Sequence, residues 1–173
     1  MSQNLCINAV TDNLVQVLTS TLRTSYDATT DVQESSKQDF SEDGQLVLRK
    51  IAVRVRFGQE ECGPTRDITR TTYTSSLSYQ IVCRHESLRS KAETRSRSLQ
   101  LVSAAKAILA GTRLLLPDGT QTDGILLQGV FPVSDQFGPV DECYGIAIEV
   151  TGVTQYPGDY IVPGSALNEE GDQ

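Results

Sequence analysis

The sequence predicts an α+β domain: a mostly antiparallel sheet flanked by two helices on one face, in the order α-β-β-α-β-β, as a single domain. Three observations carry that expectation. An amphipathic stripe lies near the start, two alternating segments are joined by a turn-rich connection, and the second segment passes straight into helical periodicity. A chain of 173 residues is long enough for one well-buried core and short for two.

Residues 4–22 read as the first helix, because Ile7, Val10, Leu14, Val17 and Leu18 fall on one face with Asn8, Asp12, Asn13 and Gln16 elsewhere. Thr24 to Gln45 is polar and broken by "EDG", which suggests a strand plus a mobile loop. "IAVRVRF" then alternates: Ile51, Val53, Val55 and Phe57 face one way, and Ala52, Arg54 and Arg56 face a wet or partner-covered side. "GQEECGPTRD" reads as a turn. "TYTSSLSYQIVCRH" alternates again, with Tyr73, Leu77, Tyr79, Ile81 and Cys83 on one face. From His85 a helical period runs to a stop at Gly111. "LPDGTQTDG" is turn chemistry, and two strands follow, "ILLQGVFPV" and "CYGIAIEVTGV". Residues 1–156 make the domain, and residues 157–173 read as an irregular acidic tail.

Charge is segregated. The first 113 residues carry 15 bases against 12 acids, a net of +3, while the last 60 carry ten acids and no base. Two oppositely charged surfaces would suit stacking of unlike faces. No apolar run approaches the roughly 20 residues of a membrane span, and no basic leader precedes an apolar block, so assembly in a cytoplasm is expected. Cys6, Cys62, Cys83 and Cys143 are scattered, which points to reduced thiols packed as small hydrophobes. One histidine cannot complete a Cys/His metal site, so no metal or cofactor is expected.

The segment "VCRHESLRSKAETRSR", residues 82–97, holds the single histidine and five Lys or Arg residues. In its helix, Leu101, Ala104, Ala105 and Ile108 form a core stripe. Projected backwards, that stripe meets Ser87, Ser90, Thr94, Arg97 and Ser98. A polar first half should therefore overhang the sheet or be covered by a polar neighbour, as in a helix wedged against another subunit. Glu93 is spaced to pair with both Arg89 and Arg97, which suits a salt-bridged surface better than a phosphate grip. A Cys83–His85 dyad would need an imidazole in contact with the thiol, an orienting group and oxyanion donors, and the sequence offers neither of the last two. Phosphate-loop, dinucleotide, serine-hydrolase and zinc-protease motifs are missing, so catalysis is not expected.

Taken in order, the N-terminal helix, the long strands, "LSYQIVCRHESLRSKAETRSRSLQLVSAAKAILAG", "DGILLQGVFPV" and "ECYGIAIEVTGVTQY" resemble the tail-terminator proteins of long-tailed phages, of the Mu and lambda types. The resemblance implies a virion protein of tail and neck that forms a homo-hexameric ring on the tail tube. Such a ring ends tube growth and offers a docking surface to neck or stopper proteins, with the sheath as a further partner. Genomic DNA would cross the lumen without sequence-specific binding, and no cofactor is implied. A ring needs two unlike complementary patches on each subunit. The candidates for such contacts are Arg54, Arg56, Arg84, Arg89, Arg95 and Arg97. The alternatives are another head-tail joining component and, in a different class, a small cytoplasmic enzyme.

Overall fold

The amphipathic first segment folds into helix α1, Leu5–Ser25, in a computed structural model that describes residues 5–39, 41–42, 46, 48, 50–65, 73–135 and 138–155. Val10, Leu14, Leu18 and Leu22 recur at helical spacing and are fully buried, each contributing about 1.5–3 kcal/mol by leaving water. Strand β1 (Asp31–Glu34) and a 3-10 turn (Lys37–Asp39) follow, then β2 (Ile51–Thr65), β3 (Tyr73–His85), helix α2 (Lys91–Leu109), β4 (Leu126–Asp135) and β5 (Gly138–Gln155).

The strands form one sheet in the order β1-β2-β3-β5-β4. Only the β1–β2 pair is parallel. The α+β class, the two helices and the antiparallel sheet are as the periodicity predicts, with β1 added to the element order. The expected turn at Gly58–Asp67 is different: residues 58–65 continue β2, with register shifts between Phe57 and Gln59 and between Cys62 and Thr65. Bulges let Gly and Pro sit in a strand that local propensity would end. Residues 66–67 of that segment, and the acidic tail 157–173, lie outside the described residues.

Both helices pack on one face. Val53 and Val55 of β2, Leu77, Tyr79, Ile81 and Cys83 of β3, and Ile146, Ile148 and Val150 of β5 meet α1 and the Leu101, Ala105 and Leu109 side of α2. Helix α2 stops where expected, with Ala110 as its C-cap and Gly111 at φ 71°, a conformation that favours glycine. Its start is later than the periodicity suggests. Residues 86–90 connect β3 to α2, and the Ser90 side chain accepts a hydrogen bond from Glu93 N as an N-cap.

The second face departs from the expected wet side. Leu46 and Leu48, from the connection between β1 and β2, pack with Ala52, Val82, Val133 and Cys143 in a smaller core. The chain thus crosses back over the face that Ala52 and Arg54 occupy. Strand β4 lies at the far edge, where Leu127 packs against the helix-side core while Leu126 and Val130 are exposed.

Candidate assembly surface

The arginines proposed from sequence do not share one surface. Arg54 is 4% exposed and belongs to the fold. Its Nε donates to Asp39 Oδ1, its Nη2 lies 2.8 Å from Asp31 Oδ2, and Nη1 donates to the Asp31 carbonyl at 3.0 Å. This two-carboxylate clamp ties β1 and the 3-10 turn to β2 and removes Arg54 from the exposed contact candidates. Arg56, on the same face, is half-buried. Arg84 reaches Leu48 O at 3.4 Å and Glu86 at 3.8 Å, and its buried Nε has no hydrogen-bond partner among the described residues.

Arg89 is exposed but precedes α2, so the expected i, i+4 pairing with Glu93 is not set up by the helix. Glu93 Oε1 instead bonds Arg97 Nη2 at 2.6 Å. Arg95 is exposed on α2 and stands beside the Tyr144 hydroxyl.

The two hydroxyls on the inward side of the first half of α2, Thr94 and Ser98, are buried by their own chain. Thr94 is 7% exposed, and its hydroxyl accepts from Ser87 N at 2.9 Å and faces the Ser87 and Ser90 carbonyls. Ser98 is fully buried and accepts from His85 N at 2.9 Å. A hydroxyl on the core stripe is thus matched to backbone groups freed where β3 ends, satisfying donors that burial would otherwise penalise.

His85 joins α1, β3 and α2. The Tyr26 hydroxyl lies 2.6 Å from His85 Nδ1 and 3.2 Å from Arg97 O, with the two rings edge to face at 5.7 Å. The hydroxyl has one proton. Both contacts are satisfied together when His85 Nδ1–H donates to the oxygen and the hydroxyl donates to the carbonyl. Burial first, then the Arg97 charge, holds the His85 pKa below its ordinary value, while burial raises that of Tyr26. Asp27, Glu93, Ser96, Arg97 and Gln100 complete an open polar depression of about 450 Å3 around this pair.

The thiols give this depression no nucleophile. Cys83 is fully buried, burial pushes its pKa up, and Sγ donates to Ile81 O at 3.9 Å. Burial likewise lifts Cys143 to about 12. Cys62 departs from the expected packing, being exposed on the extended part of β2. No group of three or more His, Cys, Asp or Glu side chains is placed to hold a metal ion among the described residues. No helix among them is long and apolar enough to cross a membrane.

Sequence reasoning missed the partners of these groups. Asp31 and Asp39 lie in the stretch read as strand and loop, 23 and 15 positions from Arg54. The Lys91–Asp141 pair at 2.7 Å joins α2 to β5 across 50 positions. No local spacing signals either.

The flank of α2 toward β5 and β4 carries Lys91, Arg95, Leu99 and Lys106 on one side of the helix by the 100° rotation per residue. Beside it, Leu127, Val130 and Pro132 of β4 pair with Ile148, Ile146 and Tyr144 of β5, and so face the helix side of the sheet. Val130 remains 43% exposed and Leu99 38%.

No family model matches this chain, and no curated protein matches it. Among solved structures, a chain from the virion of a native gene transfer agent particle is similar, with a TM-score of 0.50 and 11% identity. The alignment covers 88% of this chain and 99% of that one. At that identity, the likeness shows a shared fold.

Proposed function

We propose that this chain is a virion structural protein that acts as a tail terminator: a six-fold ring on the tail tube that ends polymerisation and receives the neck. The observation that carries the proposal is the fold shared with nearly the whole of a gene transfer agent virion chain. The order of helices and strands that prompted the tail-terminator resemblance supports the finer role. A contact role without catalysis fits the polar depression, whose histidine is engaged by Tyr26 and whose nearby thiol is buried. Its partners are further copies of itself, the tube protein, the sheath in a contractile tail, and neck or stopper proteins.

The direct test mixes the protein with its tube protein and measures tube length by electron microscopy. A terminator gives short tubes, each capped at one end by a ring. Tubes that grow to the same length with and without it refute the role.

A further inference from the structure

We draw no further inference here: the strongest candidate, the β4 edge beside the outer flank of α2, where Val130 and Leu99 stay open to solvent, carries none because nothing in the structure shows what covers it.

Discussion

Replacing Arg54 by alanine should cost about 3–5 kcal/mol of folding stability, the usual penalty for stranding a buried charge. The magnitude follows from what remains. The Asp31 and Asp39 side chains are 12% and 6% exposed, and both carboxylates bond the same guanidinium. Removing it leaves two anions largely out of water, with the Ser36 N–H donating to Asp39 Oδ2. The loss would consume a large share of the 5–15 kcal/mol that holds a typical domain together. Urea unfolding at fixed, low protein concentration is the assay, because assembly would add stability by mass action. Arg54→Lys should fall between alanine and wild type, since an ammonium cannot span both carboxylates as the guanidinium fork does. A loss below about 1 kcal/mol for Arg54→Ala, the range of exposed surface pairs, would refute the reasoning and mean that water reaches the cluster.

Ser98→Ala should cost about 1–3 kcal/mol in the same assay, because it leaves the buried His85 N–H without its acceptor. His85 should make stability pH-dependent: with its folded pKa below the ordinary value of about 6.5, the unfolded chain binds the proton first. Its contribution is complete above the unfolded value of about 6.5 and declines as pH falls from there toward the folded pKa, so the urea midpoint should drop as pH falls below about 6.5, and His85→Gln should flatten that slope. Thiol labelling followed by mass spectrometry should modify Cys62 quickly in the native protein and reach Cys83 and Cys143 only after denaturation. Equal labelling of all three would contradict the packing.

The fold class was legible in sequence because its signals are local. The Val10–Leu14–Leu18 stripe, the Ile51–Val53–Val55 and Leu77–Tyr79–Ile81 alternations, and the stop at Gly111 each span a few residues and depend on one periodicity. Burial follows directly, since an apolar face of the right period has only the core to go to. The meaning of the polar residues was not legible in the same way. Arg54 looked like a wet-side cation, and Thr94 and Ser98 looked like a helix face waiting for a neighbour.

The sequence by itself determined the α+β class, the helix-bearing face of the sheet, and the segregation of charge along the chain. Only the tertiary structure decided which charges remain available for contact. It closed Arg54 between Asp31 and Asp39, joined Thr94 and Ser98 to the end of β3, set Tyr26 against His85, and paired Lys91 with Asp141. The physical reason is that periodicity along a chain encodes a direction, inward or outward. A hydrogen bond or an ion pair needs a partner within about 3 Å, and the fold chooses that partner from any distance in sequence.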